Sequence, residues 1–164
     1  MPTPTFDFLA ILRAFAEHEV DFLVVGGVCA VLHGAPLNTF DLDLVHARTP
    51  ENVERLLQAL HALDAYFREH GERRLRPDRS HLTSPGHQLL MTRAGPLDLL
   101  GAISGDRGYE ELLPHTLPMK LGDDLQVRLL DLATLIAIKE ETGRDKDQAT
   151  LAILRRTLEE KEKK

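Results

Sequence analysis

One cysteine, Cys29, in a chain of 164 residues leaves no internal disulfide and no second thiol for a zinc or redox motif. It stands in the short apolar run VCAVL and reads as a packed core residue. No apolar stretch reaches the roughly 20 residues that a membrane span requires. The N-terminus lacks the basic-then-apolar pattern of a secretion signal, so a cytoplasmic protein with no membrane partner is expected. Excess positive charge is missing too. Twenty Lys and Arg face 26 Asp and Glu, a formal net charge of −6. That balance argues against a general nucleic-acid coat, whose affinity comes from cations neutralising phosphates. Cations do gather locally in REHGERRLRPDRSH, Arg68 to His81, which reads either as a solvated loop or as an acceptor-binding patch. There is no internal repeat, linker or low-complexity block.

What is present is a globular composition, 43% hydrophobic and 28% charged. A chain of this length buries roughly 70% of the surface its unfolded form exposes. One α/β (α+β) domain over residues 1–164 is expected, with a core over about 20–130 and C-terminal helices over about 131–160. Phe6, Leu9, Leu12, Phe15 and Ala16 recur at helical spacing. FLVVGG reads as a buried strand broken by Gly26 and Gly27, and VCAVLHG as two helical turns stopped at Gly34. Phe40 to Val45 is the next strand, and Thr49-Pro50-Glu51 is a capped helix start. HQLLMTR and PLDLLGAI read as strands joined by the Ala-Gly turn, and YEELL as a local helix. PMKLGDDLQVRLLD reads as a hairpin turning at Gly122-Asp123-Asp124, and Asp131 as the cap of LATLIAIKEETG. A break at Gly143-Arg144-Asp145 precedes a last helix whose tail, EEKEKK, is polar enough to fray.

The chemistry is concentrated in FLVVGGVCAVLHGAPLNTFDLDLV. Strand residues two apart share a face, so Asp41 and Asp43 project together while Phe40, Leu42 and Leu44 point into the core. Two adjacent carboxylates repel unless a cation lies between them or one is protonated, and hard oxygen ligands suit magnesium or manganese. The pair alone is equally compatible with an exposed edge strand. Gly26-Gly27, fourteen positions before Asp41, adds a strand-to-helix turn whose unobstructed backbone N–H groups suit a triphosphate. Asp98, the lone acid in GPLDLLG, supplies a third carboxylate. In this arrangement Asp41 and Asp43 hold two metals, and Asp98 holds the one acting on the attacking hydroxyl.

Gly-Gly, then Asp-Leu-Asp, then a strand Asp resembles the nucleotidyltransferase superfamily with a DNA polymerase β-like catalytic core. DLATLIAIKEETGRDKDQATLAIL is similar to the helix pair of small bacterial nucleotidyltransferases related to the abortive-infection AbiEii-type toxins. The resemblance covers about residues 20–155. It implies a nucleotidyltransferase fold, a small mixed sheet flanked by helices. It implies transfer of a nucleoside monophosphate from an NTP, such as ATP, to a hydroxyl on an RNA end such as tRNA, a protein or a small molecule. Asp41, Asp43 and Asp98 would be catalytic and bind Mg2+ or Mn2+, and Gly26, Gly27, Thr39, Lys139, Arg144 and Lys146 would contact the nucleotide. Asp147 would orient the cations, and an antitoxin is a partner of such toxins. The chain departs from the pattern at Leu37, where Gly-x-Pro-Arg-x-Thr carries an arginine, and Arg48 or Arg93 are candidates to replace it. That departure motivates an alternative, a catalytically degenerate module binding nucleotide or a partner. His33, before the glycine, reads as a packed, hydrogen-bonded residue.

Overall fold

The computed structural model describes residues 6–69, 73–142 and 148–163. In chain order the helices are α1 (Phe8–Glu17), α2 (Gly26–Leu32), α3 (Pro50–Ala62), α4 (Arg79–Thr83), α5 (Tyr109–Leu112), α6 (Leu132–Thr142) and α7 (Gln148–Glu162). The strands are β1 (Phe22–Val25), β2 (Leu42–His46), β3 (Tyr66–Phe67), β4 (His87–Thr92), β5 (Gly95–Leu100), β6 (Thr116–Lys120) and β7 (Gln126–Leu130). They form one mixed sheet in the order β3-β4-β5-β2-β1-β7-β6. β2 runs parallel to β5 and β1 parallel to β7, and the other neighbours are antiparallel. The sheet and its flanking helices are the mixed α/β architecture expected. Among the described residues no helix is long and apolar enough to cross a membrane.

Alternation along the central strands separates the two sheet faces. Leu42, Leu44, Leu90, Leu97 and Leu99 are fully buried, each side chain contributing about 1.5–3 kcal/mol, whereas Asp43, Leu89 and Asp98 lie half-buried on the other face. Helix α1 packs on α3 and β7, and α2 packs on β1, β2 and α6. Helix α3 starts where its sequence dictates: Thr49 Oγ1 accepts from the Asn52 amide at 3.3 Å, with Pro50 in the first turn. Asn52 is fully buried, and it accepts from the Asp21 amide at 2.7 Å and donates to Asp21 O and Ala47 O at 3.0 and 2.8 Å. Its side chain thereby ties the entry of β1 to the exit of β2.

Several sequence expectations shift. Phe40 does not enter the core. It is 77% exposed, because β2 begins only at Leu42 and the chain bends at Asp41. Leu9 is likewise exposed, and Ile11 takes the buried position in α1. The Arg-rich stretch is bounded by two short elements the periodicity does not signal, β3 and α4, the latter capped by Asp78. The β4–β5 turn falls on Arg93-Ala94, with Gly95 already in β5 at φ +117°. The break at Gly143-Arg144-Asp145 lies outside the described residues. The polar tail holds its helix through Glu162, and one reason is a contact across the fold: Lys161 Nζ lies 2.6 Å from His33 Nδ1. His33 is 4% exposed and donates from Nε2 to Leu130 O at 2.8 Å, a packed histidine as expected.

Candidate active site

Strand register assembles the carboxylates. In the parallel β2–β5 pair Asp43 lies directly opposite Asp98, and Asp98 lies opposite Leu89 in β4. Asp41 arrives from the bend before β2, where Thr39 Oγ1 donates to Asp41 O at 3.1 Å. One oxygen from each of Asp41, Asp43 and Asp98 lies within 4.8 Å of the others. All three side chains are half-buried. The three acids taken from the sequence thus occupy one place, two brought side by side by strand pairing and one by a turn.

Both glycines of Gly26-Gly27 are filled against site residues. Gly26 has φ +71°, a left-handed conformation, and a Cβ there would lie 2.1 Å from Asp43 Oδ2. A Cβ on Gly27 would lie 2.8 Å from Thr39 Oγ1. The pair begins α2 itself, without a side-chain cap from Val25. Each glycine therefore lets a polar side chain of the next segment approach the first turn of α2.

The electrostatics are those of an overloaded acidic site. Burial, reinforced by Asp41 and Asp98, pushes the Asp43 carboxyl up to about 7, and burial with Asp98 raises Asp41. Arg68 opposes both shifts. Its Nη1 lies 2.8 Å from Asp98 Oδ1 but directs its hydrogen bond to Leu90 O, also at 2.8 Å. Asp98 Oδ1 consequently has a charge partner yet no aligned donor among the described residues, although it is buried. Three convergent carboxylates, one with an oxygen lacking a donor and two resisting ionisation, fit a hard divalent ion such as Mg2+ or Mn2+.

Two clefts border this cluster. One, of about 410 Å³, is lined by Asn38, Thr39, Phe40, Asp41, Arg68 and Pro96. The other, of about 260 Å³, reaches Gly26, Asp43, Ser104 and Lys139 across an apolar wall that includes Leu100 and Ile138. Lys139 is thus brought to the site, while Arg144, Lys146 and Asp147 lie outside the described residues. Arg48 turns elsewhere and donates to Thr83 O at 3.2 Å. Leu37 packs against the core. Arg68 is the site cation that motif reading passes over. Its only sequence signal is its position at the head of the basic stretch. Cys29 is buried, its thiol pushed up to about 12 by desolvation, and its Sγ donates to Leu130 O at 3.2 Å.

No protein-family model matches the chain, and no match to a curated protein reaches significance. Among solved structures the chain is similar to a "putative nucleotidyltransferase" from Thermotoga maritima, determined as a crystal structure. The TM-score is 0.57 at 15% identity, with 93% of each chain covered. The fold is therefore the nucleotidyltransferase fold, and on it three aspartates bring one oxygen each within 4.8 Å of one another, close enough to share a metal ion.

Proposed function

We propose that the chain is a magnesium- or manganese-dependent nucleotidyltransferase that moves a nucleoside monophosphate from an NTP to a hydroxyl. The observation carrying this reading is the convergence of Asp41, Asp43 and Asp98 at one place on this fold. In the reaction the acceptor oxygen bonds to the α-phosphorus, the bond from that phosphorus to the β-bridging oxygen breaks, and pyrophosphate leaves. Asp41, Asp43 and Asp98 would hold the divalent ions, and Asp98 would take up the proton of the acceptor hydroxyl. When bound, such ions neutralise the phosphates and lower the pKa of the attacking oxygen. Gly26 and Lys139, which line one cleft, and Thr39, which lines the other, would contact the triphosphate; Gly27, Arg144 and Lys146 join them on the resemblance alone. The rest of the protein's contribution is positioning and charge neutralisation. The resemblance carried by Lys139 and the RDKD stretch extends the proposal to a toxin-type enzyme checked by an antitoxin, acting on an RNA end or a protein.

The degenerate, binding-only reading, motivated by Leu37, has a structural observation in its favour: a guanidinium already engages Asp98. Labelled NTPs incubated with Mg2+ and total RNA or lysate fractions decide between the two. Wild type forms a labelled product. Asp98→Asn keeps NTP affinity within a few-fold but loses transfer by at least about 100-fold, equivalent to roughly 3 kcal/mol. Wild type that binds NTP and labels no fraction supports the binding-only module. Transfer that survives in Asp98→Asn removes Asp98 from its role.

A further inference from the structure

Arg68 belongs to none of the motifs, yet strand pairing and an ion pair with Asp98 place it beside the carboxylate cluster. Its amide donates to Leu89 O at 3.0 Å, continuing the β3–β4 ladder by one residue beyond Phe67. That extension places Arg68 in one cross-strand row with Leu89, Asp98 and Asp43. The side chains of Arg68 and Asp98 are only 24% and 14% exposed, so solvent screens the 2.8 Å ion pair incompletely. The same guanidinium borders the cleft of Asn38, Thr39, Phe40, Asp41 and Pro96.

A divalent ion and a guanidinium compete at one carboxylate in two ways. The arginine engages an oxygen the ion needs, and it places a positive charge beside the incoming dication. We propose that Arg68 is a positioning residue that competes with the divalent ion for Asp98, keeping that metal position weak until an anionic ligand draws the guanidinium into the adjoining cleft. The inference rests on reading the three aspartates as a metal site. Arg68 stabilises the metal-free cluster, since its guanidinium lies 2.8 Å from Asp98, whose carboxylate adjoins those of Asp41 and Asp43. The anion that draws it off carries phosphate, because a planar guanidinium pairs well with phosphate oxygens.

Mn2+ binding followed by electron paramagnetic resonance, without nucleotide, tests this directly, beside melting temperatures in EDTA. Arg68→Gln is expected to bind Mn2+ at least about tenfold more tightly than wild type and to melt lower in EDTA. In an Asp98→Asn background the same substitution leaves Mn2+ affinity unchanged, because the contested carboxylate is gone. Inorganic pyrophosphate tightens Mn2+ binding to wild type by a larger factor than to Arg68→Gln. Arg68→Lys, which keeps the charge, falls between the two and replaces Arg68→Gln if that variant does not fold. Equal or weaker Mn2+ binding by a folded Arg68→Gln, with wild type binding normally, overturns the competition alone. Absence of Mn2+ binding in both proteins overturns the metal site, and the competition with it.

Discussion

Substituting Gly26 by Ala perturbs the tightest packing in the site. At φ +71° a non-glycine residue costs about 1–2 kcal/mol of backbone strain. The new Cβ would also lie 2.1 Å from Asp43 Oδ2 and 2.9 Å from its Cγ, far inside the roughly 3.5 Å at which non-bonded atoms attract. Relief requires Asp43 to leave its rotamer, which costs about 0.5–1.5 kcal/mol more and carries its carboxylate away from Asp41 and Asp98. A loss of about 2–3 kcal/mol is expected in urea denaturation, together with loss of Mn2+ binding. In an Asp43→Ala background the nearest atom of residue 43 is its Cβ, at 3.1 Å. There Gly26→Ala retains the strain but loses the collision, and costs about 1 kcal/mol less than in wild type. Two backgrounds agreeing within about 0.3 kcal/mol would show that Gly26 serves only its own backbone conformation. Unchanged Mn2+ binding in folded Gly26→Ala would equally refute the argument.

Two other expectations follow from buried titratable groups. Asp43 titrates near 7 in the fold against 3.8 when unfolded, so between those values the folded chain holds a proton that the unfolded chain has lost. Stability without metal therefore falls as pH rises from about 4 to about 7, by up to roughly 4 kcal/mol. In EDTA, Asp43→Asn flattens that slope. A wild-type stability profile that rises across the interval as steeply as that of the mutant would contradict the assignment. Cys29, fully buried with its thiol raised to about 12, reacts with iodoacetamide at pH 8 only through opening of the fold, so its labelling rate tracks denaturant as unfolding does. Rapid labelling of the native protein would show that the α2–β7 packing around it is loose.

The pieces whose causes are local were legible before any fold was known. Thr49 caps α3, Asp131 Oδ1 accepts from the Thr134 amide at 2.7 Å at the start of α6, and Gly122 turns the β6–β7 hairpin at φ +85°. Each depends on residues a few positions apart, so composition and spacing suffice. The acidic residues were equally legible, because a lone Asp in an apolar strand and a pair separated by one Leu break an otherwise uniform pattern. What those acids meet depends on long-range strand pairing. Asp43 faces Asp98 because β5 enters the sheet parallel to β2 in one register, and a slip of one residue would turn Asp98 to the core. Arg68 reaches Asp98 because a two-residue strand pairs at the sheet edge, too short to leave a periodic trace. Phe40 is exposed where alternation alone would bury it, since the chain bends at Asp41 before any partner strand constrains it. Lys161 meets His33 across 128 residues of sequence because α7 folds back toward α2, a contact set by helix packing that no local signal encodes.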